Sequence, residues 1–144
     1  LRAGVTVIVA HTAAPVLYAR DEDQVPLLKE WMGEFPRLWV DNSGISNLSR
    51  FPHLPRYARD PLLVERTLHG SDHPVPSNAL YYVKQLGRRR VLSLEREKNS
   101  LQRDIALKRA LGYPDEVLTR ASSVLPNLER WIRREAHAAG SASG

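Results

Sequence analysis

The chain has 144 residues, 42% hydrophobic and 26% charged, which is typical of a globular protein with a core of its own. It has no cysteine, which excludes disulfides and thiolate metal sites and leaves His and carboxylate side chains as metal ligands. The net charge is +5, and residues 88 to 134 hold 12 Lys/Arg against 6 Asp/Glu. No apolar run approaches the roughly 20 residues of a membrane span, and no signal peptide is evident, so we expect a cytoplasmic protein without membrane contact.

The first half of the chain predicts short strands separated by helical or irregular segments. The strands lie at residues 4 to 10, 38 to 40 and 67 to 69. The first is nearly all apolar and β-branched, which is typical of a strand buried on both faces in a parallel sheet. Residues 25 to 32 predict an amphipathic helix with Gly33 as its stop signal. Residues 46 to 61 contain three prolines and predict loop and helical turns.

The second half predicts helices punctuated by glycine or proline. They span residues 77 to 86, from Ser93 as an N-cap to Leu111, from Tyr113 to about Leu125, and 127 to 136. In the second of these, Asp104 and Lys108 are spaced for an i, i+4 ion pair, which we assign to a solvated helix face.

A polar residue stands at the end of each predicted strand: His11, Asp41 and Asp72. The spacing of 30 and 31 residues is close to the roughly 31 residues of one βα unit in a (β/α)₈ barrel of about 250 residues. In barrels and in open doubly wound sheets alike, sites form at the C-terminal ends of parallel strands. An α/β fold with these three side chains at one end of the sheet is therefore expected. For Asp72 alone, the alternative is an Asx-type turn.

Three motifs carry a resemblance to a known family. Val7-Ile-Val-Ala-His11 is an apolar strand ending in histidine, Leu38-Trp-Val-Asp-Asn-Ser-Gly44 is a strand followed by a polar turn, and His69-Gly-Ser-Asp-His-Pro74 contains a Gly-Ser-Asp-x-Pro element. In this order they resemble the C-terminal strands of the amidohydrolase superfamily, in the branch related to decarboxylases and lactonases. A weaker match runs from Leu111 to Leu128.

The resemblance implies a fold, a cofactor and a set of site residues. Residues 1–128 would be the C-terminal portion of a TIM barrel, with parallel strands followed by helices, and residues 129–144 a helix end and a disordered tail. A divalent ion, expected to be zinc, would be bound by His11 and Asp72. Asp72 would also be the catalytic residue. Four more side chains would contact the metal-binding residues or a small-molecule substrate: Asp41, Asn42, Ser71 and His73. The reaction would be hydrolysis of a C–N or C–O bond, or decarboxylation.

The sequence departs from the family in lacking the His-x-His pair of the family's first strand. We therefore expect a C-terminal fragment that is inactive alone. Whether His11 belongs to the fifth or the sixth barrel strand stays open, and so does the formation of a homo-oligomer. One alternative is a barrel remnant without catalysis. Another is a basic helical module that binds nucleic acid through residues such as Arg88, Arg89 and Arg90, against which the interleaved Glu95, Glu97 and Asp104 argue.

Overall fold

A three-stranded parallel sheet organises the part of the chain that the computed structural model describes, which is residues 4–18, 22–125 and 127. The strands are β1 (Val7–Val9), β2 (Leu38–Asp41) and β3 (Thr67–Leu68), and neighbours in the chain are neighbours in the sheet. Val7 pairs with Leu38, and Val40 pairs with Thr67. The predicted parallel strands are thus confirmed, and their C-terminal ends lie at one end of the sheet.

The first strand is not buried on both faces as predicted. Ile8 is 36% exposed and Val5 57% exposed, whereas Val40 in the central strand is fully buried. Val7 and Val9 pack against the core, whereas Ile8 lies on the opposite face of β1, which is left exposed. The edge position of β1 is not the reason, since β3 lies at the other edge and is buried at Thr67 and Leu68. An apolar run alone does not distinguish an edge strand from a central one.

Seven helices accompany the sheet within the described residues. They are α1 (Val25–Glu34), α2 (Leu54–Tyr57), α3 (Pro61–Arg66), α4 (Val83–Glu95), α5 (Ser100–Leu111), α6 (Asp115–Thr119) and α7 (Ala121–Val124), with short 3-10 turns at Ala10–Ala13 and Ala79–Tyr82. None of these helices is both long and apolar enough to cross a bilayer.

Several predicted helix ends are wrong. Gly33 does not stop α1, which continues to Glu34. Gly87 does not end a helix but forms a kink, with φ of 75°, inside α4. Ser93 lies within α4, and the cap of the next helix is Asn99, whose Oδ1 accepts from the backbone N–H groups of Leu101 and Gln102. Asn and Ser side chains both accept hydrogen bonds at the N-cap of a helix, so the sequence did not show which of Asn99 and Ser93 is the cap.

Other boundaries agree with the sequence. The side chain of Asp60 caps α3 by accepting from the N–H of Leu63, and Gly112 ends α5 in a left-handed conformation, and both residue types are typical of these positions. The helix predicted from Tyr113 to Leu125 is divided into α6 and α7. The predicted last helix, apart from residue 127, and the tail over residues 129–144 lie outside the described residues.

The hydrophobic core lies between the sheet and the helices that follow its strands. Leu38 and Val40 of β2 are buried with Met32 of α1, Leu63 of α3 and Leu107 of α5, all at most 2% exposed. Burial of such side chains contributes about 1.5–3 kcal/mol each relative to exposure. Packing of the helices against the central strand therefore holds the C-terminal ends of the strands in place.

Candidate functional site

Asp41, at the end of β2, holds the turn that follows β1. Its Oδ1 accepts a hydrogen bond of 2.9 Å from the N–H of His11, and its backbone oxygen accepts one of 2.8 Å from Oγ1 of the fully buried Thr12. These bonds support three consecutive residues, 11 to 13, with φ between 52° and 56°. Left-handed backbone costs a non-glycine residue roughly 1–2 kcal/mol, so Asp41 has a structural task in placing His11.

The His11 ring is oriented by Ser43. Its Nδ1 lies 2.8 Å from the backbone oxygen of Ser43 and 2.9 Å from Ser43 Oγ, while that hydroxyl donates to Oδ1 of Asp41. Because a carbonyl oxygen only accepts, Nδ1 carries the proton, and in the neutral ring the lone pair is on Nε2. Among the described residues, Nε2 has no hydrogen-bond partner. This arrangement is the usual one for a histidine that binds a metal through Nε2.

Gly44 brings the His11 ring and the Asp72 carboxyl group together. A Cβ placed on Gly44 would be 3.3 Å from His11 Cε1 and 3.3 Å from Asp72 Cγ, and it would overlap Asp72 Oδ2. Gly44 has a φ of 59°, and Asp72, which is not glycine, has a φ of 60°. Asp72 is exposed, and its carboxylate makes no hydrogen bond with the described residues. A carboxylate and an imidazole thus lie close to the same position, which has no side chain.

A second glycine allows the loops after β2 and β3 to touch. A Cβ on Gly70 would lie 2.9 Å from Ser43 Cβ, so only glycine permits this contact. The Gly70 N–H donates to Oδ1 of the fully buried Asn42 at 3.1 Å, while Asn42 Nδ2 has no partner among the described residues. Asn42 therefore positions the loop that carries Asp72.

Lys108 and Asp104 form a buried ion pair beneath this loop, so their assignment to a solvated face is wrong. Lys108 is 0% and Asp104 3% exposed, and Lys108 Nζ lies 2.7 Å from Asp104 Oδ2 and 2.6 Å from the Gly70 oxygen. Burial lowers the pKa of Lys108, against the attraction of Asp104 and, more weakly, of Asp41 and Asp72. The available signal was their position on the same face of α5 as Leu107 and Leu111.

The remaining predicted residues lie at the margin of this arrangement. Ser71 Oγ accepts from the N–H of His73, and the His73 side chain is exposed. His69 has a buried Nδ1 without a partner among the described residues, and burial together with the charge of Lys108 lowers its pKa. No hydrogen bond among the described residues joins Ser71 or His73 to His11.

His11 and Asp72 carry an imidazole and a carboxylate, which are both groups that bind zinc. The His11 ring is oriented by Ser43, and the Asp72 carboxylate is accessible. A zinc site usually has at least three protein ligands, and the described residues contain no group of three or more His, Asp or Glu placed to hold an ion. The Oδ1 of Asp41 is occupied, because it accepts from the N–H of His11, the Ser43 N–H and the Ser43 hydroxyl.

Comparisons with protein-family models, curated proteins and solved structures found no match.

Proposed function

We propose that this chain forms part of a metal-dependent hydrolase of the amidohydrolase type, which hydrolyses C–N or C–O bonds or decarboxylates a small-molecule substrate. The observation that carries the proposal is that the His11 ring and the Asp72 carboxyl group both lie beside Gly44, while the His11 Nδ1–H donates a hydrogen bond to the Ser43 carbonyl. Both residues also have left-handed backbone, and strain of this kind concentrates at functional sites.

The same proposal includes a (β/α)₈ barrel, of which β1 to β3 would be three consecutive strands. It is supported by strands that are all parallel and adjacent in chain order. A doubly wound open sheet has a point where the strand order reverses, and the described strands contain none. In a barrel the C-terminal strand ends bear the site, which is where His11, Asp41 and Asp72 lie.

In this proposal each side chain has a distinct role. His11 Nε2 and one Asp72 oxygen would bind the ion, with any third protein ligand lying outside the described residues. A bound zinc ion lowers the pKa of its water to about 7. The second Asp72 oxygen would accept the proton of the attacking water, and the Ser43 carbonyl would keep the proton of His11 on Nδ1. Asp41 and Asn42 would hold the two loops in register without touching the reacting atoms.

The test is turnover by the complete protein that contains this chain. Loaded with zinc, it should convert members of a panel of lactones, amides and aromatic carboxylic acids, and a chelator should stop the reaction. Asp72→Ala should abolish turnover while the circular dichroism spectrum stays unchanged. Near-normal activity of this variant at saturating zinc would refute the role given to Asp72.

A basic surface on α4 supports a second candidate function, binding of a nucleic-acid backbone. Arg88, Arg89 and Arg90 are exposed, and none forms an ion pair with a described residue. Two of the acidic residues that argue against this function are paired elsewhere. Glu95 accepts from the Ala79 N–H and faces Arg103, and Asp104 is buried with Lys108. Neither carboxylate pairs with Arg88, Arg89 or Arg90, so these three arginines keep their charge free for a phosphate.

A DNA gel shift at low salt tests this candidate. We expect weak binding that declines with salt, because each arginine contributes through counterion release. Replacing Arg88, Arg89 and Arg90 by Gln should remove the shift, whereas Arg59→Gln, an exposed change on another segment, should not. No shift at low salt would end the idea.

A further inference from the structure

The buried ion pair of α5 is hydrogen-bonded to both loops that form the candidate site. Asp104 Oδ1 accepts a 3.0 Å hydrogen bond from the hydroxyl of Ser46, which lies in the loop after β2. Lys108 Nζ donates a 2.6 Å hydrogen bond to the backbone oxygen of Gly70, which lies in the loop after β3. The carboxylate and the ammonium group are 2.7 Å apart, because the two residues stand one turn apart in α5. A single turn of α5 thus joins the two loops.

Gly70 is held on two sides by buried side chains. Its N–H donates to Asn42 Oδ1 at 3.1 Å, and its backbone oxygen accepts from Lys108. Asn42 and Lys108 are both 0% exposed. A Cβ on Gly70 would lie 2.9 Å from Ser43 Cβ, so the two loops are also in close contact here. Asp72 follows Gly70 by two residues, and its position therefore depends on how Gly70 is fixed.

The loop after β2 is fixed in the same way near Gly44. Ser46 is only 2% exposed and lies two residues after Gly44, the position beside which the His11 ring and the Asp72 carboxyl group lie. The Ser46 hydroxyl donates to Asp104. Each loop is therefore bonded to the ion pair two residues from the part of the loop that enters the candidate site.

Burial favours a positioning role for the pair over a purely stabilising one. Asp104 and Lys108 are 3% and 0% exposed, so water does not compete for their hydrogen bonds. The cost of removing both charges from water offsets most of their attraction, and an apolar pair of similar volume is often equally stable. A fully bonded buried polar pair does, however, fix the groups bonded to it in one arrangement. The groups fixed here are the two loops of the candidate site.

We propose that Asp104 and Lys108 are positioning residues for the candidate metal site. They hold the loop after β3 against the loop after β2, which keeps the Asp72 carboxyl group beside Gly44 and the His11 ring. Neither side chain would touch the ion, since both are buried and bonded to each other. This role rests on the proposed function in one respect, the binding of zinc by His11 and Asp72.

The test compares two variants of the full chain that lose buried groups from the same helix. Lys108→Met/Asp104→Leu removes the ion pair and its hydrogen bonds to both loops, and it fills the space with apolar side chains. Leu107→Ala removes a fully buried apolar side chain that has no hydrogen bond to either loop, so it controls for a loss of stability alone. Circular dichroism establishes the temperature at which both variants are folded.

In the metal-free protein, ¹⁵N NMR should show the loss of positioning. Lys108→Met/Asp104→Leu should shift the backbone amide signals of Ser71 and Asp72 and lower their heteronuclear NOE values, which report faster local motion. Zinc, titrated as the metal alone, should bind this variant about tenfold more weakly than the wild type, as is typical when a residue that orients a ligand is lost. Leu107→Ala should change neither the NOE values nor the zinc affinity.

Ser46→Ala is a second variant with a milder change. It removes only the hydrogen bond from the loop after β2 to Asp104 and leaves both charges in place. It should shift the Asp72 amide signal and weaken zinc binding less than the double variant does, and it decides alone if the double variant does not fold. The positioning role is overturned if the Asp72 signal, its NOE value and the zinc affinity stay at wild-type values in these variants. It is equally overturned if Leu107→Ala changes them as much as the double variant.

A failure of the proposed function has a different outcome. If the wild type binds no zinc, the metal site is refuted, whereas the NOE values of Asp72 in the metal-free variants still decide whether the ion pair positions the loop. If the wild type binds zinc and the double variant binds it equally well, the metal site stands and the positioning role is wrong.

Discussion

The His11 imidazole and the Asp72 carboxyl group both lie beside Gly44, each within 3.3 Å of the point where a Cβ of residue 44 would stand. The two residues lie 61 positions apart in the chain, on loops that follow β1 and β3, and both have left-handed backbone. This proximity depends on the missing side chain at position 44 and on Asp41, which anchors the His11 turn. Substitutions at positions 44 and 41 test these two dependences.

Gly44→Ala should separate the two side chains. The new methyl group would overlap Asp72 Oδ2, and a φ of 59° costs alanine roughly 1–2 kcal/mol. We expect urea denaturation to show a loss of at least this size, together with weaker zinc binding. Gly33→Ala is the matched control: it lies inside α1 with nothing within 4 Å, so it should stabilise the protein by up to about 1 kcal/mol. Equal effects of the two changes would contradict this account of Gly44.

Asp41 should be replaceable by asparagine but not by alanine. Asn keeps an oxygen that can accept from the His11 and Ser43 N–H groups, whereas Ala leaves the left-handed turn at residues 11 to 13 without its anchor. Asp41→Ala should therefore lower stability by about 2–4 kcal/mol, from several lost hydrogen bonds, and Asp41→Asn by clearly less. Thermal denaturation of the two variants checks this. Similar losses would indicate that the charge of Asp41, and not its hydrogen bonding, matters.

Lys108→Met should destabilise the protein by about 3–5 kcal/mol, because it leaves the buried Asp104 carboxylate without its cation. The double variant Lys108→Met/Asp104→Leu should recover part of this loss, since an apolar pair needs no desolvated charge. Lys98→Met, at an exposed position, should change stability by less than about 0.5 kcal/mol. Urea denaturation measures all three. A double variant no more stable than Lys108→Met would show that the hydrogen bonds of the pair to Gly70 and Ser46, and not its desolvated charge, decide the stability.

Stability should fall as the pH drops below about 6.5, partly because of His69. Burial lowers the pKa of His69 in the folded state, so the unfolded chain binds a proton that the folded chain does not. The loss can reach about 1.4 kcal/mol per pH unit for one histidine in that window. The pKa of His53 is also lowered, by burial first, so a His53→Gln background isolates the His69 contribution. Adding His69→Gln should flatten the remaining slope, and an unchanged slope would exclude His69 as its source.

The sequence was informative where local patterns decide structure. Each apolar run ends at a polar residue, which was enough to predict parallel strands with His11, Asp41 and Asp72 at one end. It was not informative where partners distant in the chain decide. The left-handed turn at His11 depends on Asp41, 30 residues away, and the burial of Lys108 depends on Gly70, 38 residues away. The edge position of β1 likewise follows from the strand order and not from its composition.

The most direct measurement of the central claim is a zinc titration followed by ¹⁵N NMR of the histidine side chains. Zinc should move the Nε2 signal of His11, and Asp72→Asn should weaken this binding at least tenfold by removing a charged ligand. Asp115→Asn, an exposed carboxylate paired with Arg109, is the control and should leave the titration unchanged. A His11 signal that does not respond to zinc, or that responds equally in the Asp72→Asn variant, would contradict a metal site formed by these two residues.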